Sequence, residues 1–272
     1  MNAKKIFQGK TKVVWNKKVA PGHYGMRLLA PMLAEVTKPG QFVQVQVADD
    51  LDPFLRRPFS LLSTSGDTMD ILYAVVGKGT EILARKKSGD TVDVLGPLGN
   101  RWTPIPPKSK AKAKSILIGG GVGIPPLYFL AKEYVERRRS NPSGILVFLG
   151  ARDRSLLLCQ RDFKELGVEI HVATDDGSAG FRGYITELMR EWLGKAGESY
   201  LYTCGPTPML KAVAQVAQEF HLDGEVSMEA PMACGFGICV GCAIPVVGGG
   251  YKLCCYHGTV FKIREVAWEG MA

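Results

Sequence analysis

Seven cysteines stand in the 272-residue chain, Cys159, Cys204, Cys234, Cys239, Cys242, Cys254 and Cys255, and five of them fall within 22 residues. The total is odd, and Met1 to Lys12 is polar and basic with no apolar stretch behind it, so an exported chain is not expected. In that setting a cysteine cluster points to metal ligation rather than to disulfides. Cys234, Cys239 and Cys242 have C-x4-C-x2-C spacing, the ligand spacing of plant-type [2Fe-2S] clusters. Gly235, Gly237 and Gly241 between them let a tight loop wrap a cluster and turn main-chain N–H groups toward its sulfurs. The fourth thiolate comes from Cys254 or Cys255. Zinc is the competing occupant, but zinc sites pair one C-x2-C with another, and this tail holds a single C-x2-C.

A second kind of chemistry is written in glycine. Gly119-Gly120-Gly121-Val122-Gly123-Ile124-Pro125-Pro126 follows a short apolar run and opens a helical pattern. Glycines there allow close approach to a phosphate, and a helix N-terminus offers N–H donors and a favourable dipole. Thr203-Cys204-Gly205-Pro206-Thr207-Pro208-Met209 repeats the arrangement, and Thr174-Asp175-Asp176-Gly177-Ser178 ends a third run. Loops at the carboxyl ends of neighbouring parallel strands flank one crevice, where a dinucleotide binds.

These loops need a scaffold. Residues 1–105 contain short apolar runs such as Phe42 to Val47, which alternates with period 2, and Ile71 to Val76, separated by Gly, Pro and Asp turns. That pattern predicts an antiparallel barrel with half-buried strands. Thr103 to Lys114, rich in Pro and Lys, is the expected linker. In residues 106–227 strands at Ile116–Ile118, Ile145–Leu149, Val168–Thr174 and Tyr200–Thr203 alternate with helical patterns around Leu127–Val135, Ile185–Leu193 and Pro208–Ala217. Repeated β-α-β units imply a doubly wound parallel α/β domain with helices on both faces. Residues 228–272 are rich in Gly and Cys and too few to build a core alone, so a metal centre would supply the missing constraint.

Composition excludes several function classes. The chain is 46% hydrophobic and 22% charged, with mean hydropathy +0.03, as ordinary soluble proteins are. Its most apolar stretch, Ile116 to Leu130, carries four glycines and two prolines and is too short for a membrane span. A cytoplasmic protein without membrane contact is expected. The net charge of +8 draws on lysines 4, 5, 10, 12, 17 and 18 and lysines 108, 110, 112 and 114. No aromatic RNA platform, zinc-finger or helix-turn-helix pattern accompanies them, so a solvated basic surface, not nucleic-acid binding, is expected.

The ordered set Arg57-Pro58-Phe59-Ser60, Gly-Gly-Gly-x-Gly-x-x-Pro and Cys-Gly-Pro resembles the ferredoxin–NADP reductase family over about Val13 to Met228. The resemblance implies an FAD-binding barrel in which Arg57 pairs with the pyrophosphate and Ser60 hydrogen-bonds near flavin N5. Pro58, Phe59, Leu72, Tyr73 and Ala74 would contact the cofactor, and Gly79 and Thr80 would give N–H groups to its phosphates. Gly119, Gly120, Gly121, Gly123, Asp176, Gly205 and Pro206 would hold NAD, with Cys204 beside the nicotinamide. Ser60 and Cys204 would be the catalytic pair for hydride transfer between NADH and FAD. Asp153 in Gly150-Ala151-Arg152-Asp153-Arg154 disfavours a 2′-phosphate, while Arg152 or Arg154 could accept one; the resemblance tips the choice to NAD.

The tail, Met232 to Cys242 followed by Cys255-Tyr-His-Gly258-Thr-Val260-Phe261, resembles the electron-transfer subunits of two-subunit, NAD-linked dihydroorotate dehydrogenases. That resemblance makes Cys255 the fourth ligand beside Cys234, Cys239 and Cys242, although Thr259 stands where proline is usual and His257 where Asp is common. It implies an FMN-containing catalytic partner that oxidises dihydroorotate in pyrimidine biosynthesis, in a heterotetramer. The alternatives are the small subunit of an NADH-dependent ferredoxin–NADP oxidoreductase, which tends to have Asp at the first cluster position, or a sulfide dehydrogenase subunit. Oxygenase reductases carry a longer ferredoxin domain than this tail allows.

Overall fold

The computed structural model describes residues 6–104, 114–137, 142–193, 199–269 and 271. The expected boundary at 105/106, and lysines 4, 5, 108, 110 and 112, lie outside the described residues.

Six strands close the barrel: β1 (Phe7–Ala20), β2 (His23–Leu29), β3 (Phe42–Gln46), β4 (Arg57–Ser65), β5 (Thr68–Ala74) and β6 (Thr91–Leu98). They follow the order β1-β2-β5-β4-β3-β6, every neighbour antiparallel. Val13, Met26, Leu28, Val43, Val45, Leu61, Ile71, Tyr73, Val92 and Val94 fill the interior. Two helices interrupt the strands, α1 (Pro31–Val36) and α2 (Lys78–Arg85). Neither shows in the alternation of apolar residues, since α2 is too short and polar for a clear stripe.

One strand departs from expectation. Phe42, Val43, Gln44 and Val45 are all buried, so β3 is covered on both faces rather than half-buried. The reason is tertiary: Phe42 joins the core of the α/β unit, and the C-terminal segment lies against Gln44 at Gly235.

The α/β unit comprises β7 (Lys114–Gly120), α3 (Ile124–Lys132), β8 (Ile145–Ala151), α4 (Gln160–Glu165), β9 (Glu169–Thr174), β10 (Phe181–Arg182), α5 (Ile185–Leu193), β11 (Ser199–Cys204), α6 (Thr207–Glu219) and β12 (Asp223–Ser227). One core packs Leu117, Val147 and Leu149 against Ile124, Leu127, Leu130 and Phe163. The other packs Ile116, Ile118 and Phe148 against Ile185, Met189, Leu210 and Val213. Alternate residues of β7 and β8 thus serve opposite faces, as a doubly wound sheet requires.

The tail adds β13 (Ala243–Pro245), β14 (Tyr251–Leu253), α7 (Cys254–His257) and β15 (Val260–Lys262). The sheet order is β10-β9-β8-β7-β11-β12-β15, and β15 pairs with β12 antiparallel, Ser227 opposite Val260. The sheet is therefore not wholly parallel. Cys242, Cys254, Cys255, Phe261 and Ile263 are buried in the α/β core. Burying a side chain the size of Phe261 or Ile263 stabilises by about 2 kcal/mol, so the tail borrows a core it is too short to build. Among the described residues no helix is long and apolar enough to cross a membrane.

Candidate functional site

The barrel presents an anion cradle where β4 begins and α2 starts. Gly77 caps α2, and Thr80 Oγ1 accepts from the N–H groups of Val76 (2.9 Å) and Gly77 (3.2 Å). A Cβ on Gly79 would lie 2.3 Å from Arg57 Nε, so the guanidinium packs directly against this turn. Arg57 also donates to the Leu55 carbonyl. A fixed cation at the positive end of a helix is electrostatically unfavourable by itself and favourable once a phosphate sits between them. The residues present fit a pyrophosphate.

Downstream on β4, Pro58 is opposite Gln44 and Ser60 opposite Phe42. Directly opposed residues share a face, so these four line the outer wall of the barrel. Phe59 turns the other way and its ring centroid lies 5.5 Å from that of Tyr73. The Tyr73 hydroxyl donates to Asn16 Oδ1 at 3.0 Å inside the barrel, and burial pushes it well above the usual phenol range. What Tyr73 can offer a cofactor is main chain. Leu72 faces outward and packs with Trp102 and Val260, and Ala74 is half-buried opposite His23.

In the α/β unit the chain runs β7 to β10 in one direction along the sheet and returns to β11 on the other side of β7. The glycine loop and Cys204-Gly205-Pro206 therefore meet at the topological switch point, where open sheets hold nucleotides. The two loops touch through main chain. A Cβ on Gly123 would lie 2.4 Å from the Cys204 carbonyl, one on Gly205 2.5 Å from Met209 Cε, and one on Gly120 2.8 Å from Met209 Sδ. Gly119 is close-packed on Ile124 and Leu127, whereas Gly121 faces open space. Gly120, Gly123 and Gly205 thus serve loop-to-loop packing, and of these glycines Gly121 alone has open space beside its Cα.

Cys204 is buried at the end of β11. Burial, reinforced by Glu229, pushes its thiol far above the ordinary range against a hydrogen bond from Ser227, so it is neutral at physiological pH. Asp176 is exposed just past the end of β9, three strands from β11. Its carboxylate accepts from Ser178 N (2.9 Å) and Oγ (2.7 Å), which hold it below the usual carboxylate range. Asp153 is similarly engaged by Ser155 N (2.8 Å) and Oγ (2.6 Å).

The cysteine loop is built around sulfur. Burial opposes ionisation of Cys234, but N–H groups of Cys239, Phe236 and Ile238 aimed at its sulfur outweigh that and bring it down to about 6. Cys239 also bonds to Cys234 through its side chain. Cys242 and Cys255 form a second pair, Sγ to Sγ 3.2 Å, and Cys255 N–H points at Cys242 Sγ at 3.4 Å. Burial and the neighbouring Cys242 push Cys255 up to about 12. Cys254 turns away, its Sγ donating to the Met228 carbonyl at 3.3 Å. His257 Nδ1 accepts from Leu253 N–H at 2.8 Å. Among the described residues no three His, Cys, Asp or Glu side chains converge on one point. Two pairs of thiols suit two metals with two thiolates each, the donor set of a diiron cluster.

Three contacts hold this loop against the barrel. Asn100 pairs with both main-chain groups of Val260, Thr259 Oγ1 donates to the Gly40 carbonyl at 2.8 Å, and Gln44 lies under Gly235. Thr259 had a local signal, a hydroxyl where a proline is usual; Asn100 and Gln44 had none.

Two family descriptions match the chain: the oxidoreductase NAD-binding domain over residues 117–215, and the iron-sulfur cluster binding domain of dihydroorotate dehydrogenase B over residues 229–267. The chain is 40% identical over 271 residues to the dihydroorotate dehydrogenase B (NAD(+)) electron transfer subunit of Desulforamulus reducens, covering 97% of this chain and 99% of that one. It is 40% identical over 255 residues to the corresponding subunit of Geobacillus kaustophilus, covering 91% and 94%. Its structure is similar to that of an NADH-dependent reduced ferredoxin-NADP oxidoreductase, with TM-score 0.83 and 31% identity over 99% of this chain and 92% of that one. A ferredoxin NADP+ reductase from Neisseria gonorrhoeae shares the fold, with TM-score 0.65 and 19% identity over 78% and 91%.

Proposed function

The chain belongs to the family of dihydroorotate dehydrogenase B electron transfer subunits, and from that premise we propose how its residues divide the work of carrying electrons between NAD and a catalytic partner. The observation that carries the reading is the cysteine loop, whose N–H groups already favour a thiolate at Cys234 and whose four thiols stand in two pairs. When bound, FAD supplies hydride acceptance and a [2Fe-2S] cluster supplies single-electron transfer.

The protein's part is to bind and orient. Cys234, Cys239, Cys242 and Cys255 are the cluster ligands, and Cys254 is a core residue. Arg57 and the Gly79–Thr80 turn hold the FAD pyrophosphate. Pro58, Ser60 and the main chain of Phe59 and of Leu72–Ala74 border the isoalloxazine, with the Ser60 hydroxyl hydrogen-bonding near N5. Gly121, with Gly119, Gly120, Gly123, Gly205 and Pro206 shaping the crevice, receives NAD, and the neutral Cys204 thiol packs against the nicotinamide. Asp176 borders the ribose side.

The partner is the FMN-containing subunit that oxidises dihydroorotate, in a cytoplasmic heterotetramer. Phe236, Ile238, Val240 and Tyr256 are exposed around the cysteine loop, an apolar rim of the kind a partner covers. The modules are residues 1–105, 106–227 and 228–272. The second reading, a subunit of an NADH-dependent ferredoxin–NADP oxidoreductase, is favoured by the structural similarity to such an enzyme.

Anaerobic purification with iron, sulfide and flavin analysis tests the core of the proposal. One FAD and two irons per chain are expected, and material with neither overturns it. Co-purification then separates the readings: an FMN subunit supports the first, and a different large subunit the second.

A further inference from the structure

Gln44 is fully buried, and neither its Nε2 nor its Oε1 has a hydrogen-bond partner. Its neighbours make the contrast plain. Gln46 on the same strand donates to the Ala48 carbonyl at 3.0 Å and accepts from Arg56 at 3.2 Å. Gln41 accepts from Lys38 N–H at 2.8 Å. A buried amide with nothing to bind is expensive, and native structures rarely keep one without a use.

Its position supplies the use. Gln44 sits opposite Pro58, on the outer wall that also carries Ser60. Against that wall lies the residue that follows Cys234. A Cβ on Gly235 would fall 2.8 Å from Gln44 Cγ and 2.9 Å from Nε2, and Gly235 has φ +81°. Only glycine allows the cysteine loop to come this close.

We propose that Gln44 is the side-chain hydrogen-bond donor the barrel offers to the cluster, its Nε2–H directed at a sulfur on the Cys234 side; this rests on the cluster reading above. A donor to a cluster sulfur stabilises the extra negative charge of the reduced form and raises its potential. Gln44 thereby sets how readily the cluster takes an electron. The amide is an orphan in the protein alone because its partner is the cluster.

This predicts opposite effects of one substitution on two properties. In Gln44→Leu the cluster-free chain is at least as stable toward urea as the parent, because an unsatisfied amide has been replaced by an apolar group of similar size. In the loaded protein, followed by EPR during a redox titration, the cluster's reduction equilibrium falls about tenfold, 59 mV for a one-electron couple, while the flavin midpoint stays in place. Wild-type protein carrying 15N in its glutamine side chains shows a 15N coupling to the reduced cluster in pulsed EPR, and this measurement needs no variant.

Absence of that coupling overturns the proposal. So does an unchanged cluster midpoint in Gln44→Leu with two irons retained, or a shift confined to the flavin. Marked destabilisation of the cluster-free variant would make Gln44 a packing residue and overturn it too. Wild-type protein without iron or flavin would instead defeat the underlying reading, and is seen before any variant is made.

Discussion

Asn100, just past the last barrel strand, closes a two-sided clasp on the main chain of Val260. Its Nδ2 donates to the Val260 carbonyl at 2.7 Å, and its Oδ1 accepts from the Val260 N–H at 2.9 Å. The same carboxamide fills the space where Gly258 lacks a side chain, since a Cβ there would lie 1.9 Å from Asn100 Cγ and Gly258 has φ +127°. The clasp closes five residues beyond the second of the adjacent cysteines, so it fixes the cysteine segment against the barrel. In Asn100→Ala both bonds are lost and two half-buried main-chain groups go unpaired, a loss of about 2–3 kcal/mol. A drop of about 4–10 °C in the unfolding midpoint is expected. Stopped-flow measurement after NADH addition should show cluster reduction slowed more than flavin reduction; equal slowing would mean that the clasp serves stability alone.

The adjacent cysteines should separate cleanly. Cys254→Ser keeps a donor for the Met228 carbonyl and should retain the cluster's visible absorption with a small loss of stability. Cys255→Ser removes the thiol paired with Cys242 and should abolish that absorption while leaving flavin bound. The reverse pattern would assign the fourth ligand to Cys254.

Much of this was legible in the chain. The C-x4-C-x2-C spacing, the two glycine loops and the switch from period 2 to alternating strands and helices are local properties, and they located the barrel, the crevice and the cysteine loop. What escaped depends on packing between distant segments. Phe42 to Val45 reads as a half-buried strand until the tail covers its outer face. The helix that Gly77 opens leaves no clear pattern, because its eight residues are few and mostly polar. Gly123 reads as a phosphate contact, yet it is glycine because the Cys204 main chain passes 2.4 Å from where its Cβ would be. The antiparallel β15 has only three residues and carries no signal of direction.

A pH dependence follows from the junction of barrel, sheet and tail. Buried Glu225 accepts from Thr103 N (2.8 Å), Thr103 Oγ1 (2.5 Å) and Lys262 Nζ (2.7 Å), and Lys262 also donates to the Tyr200 hydroxyl at 2.8 Å. Burial pulls the Lys262 ammonium down, but Glu225 and Tyr200 outweigh it and leave the group above its ordinary value of 10.5. A raised ammonium contributes its full stability below that value and loses it as pH climbs through the folded-state value. Lys262→Met should therefore cost about 1–2 kcal/mol in urea unfolding at pH 7, a charged hydrogen bond discounted for the lysine's exposure. The gap between variant and parent should be flat through neutral pH and close only above about 10.5, the unfolded-state value. A gap that closed near pH 6 or 7 would trace the effect to another group.

The anion cradle can be tested without touching its charge. Gly79 lies in the first turn of α2, where alanine is the better helix former by up to about 1 kcal/mol, so Gly79→Ala should fold as well as the parent or better. Its new methyl must nevertheless displace Arg57, whose Nε would be 2.3 Å away. A guanidinium pushed off the turn loses a charge-assisted bond to the pyrophosphate, and such a bond contributes about 1.5–3 kcal/mol. FAD affinity, measured by fluorescence quenching on flavin-stripped protein, should fall about ten- to a hundredfold. Arg57→Lys keeps the charge but not the planar fork, so it should lose a similar amount, and the double variant should add little because both changes remove the same contact. Full additivity of the two losses, or undiminished FAD binding in Gly79→Ala, would show that the phosphates are held elsewhere.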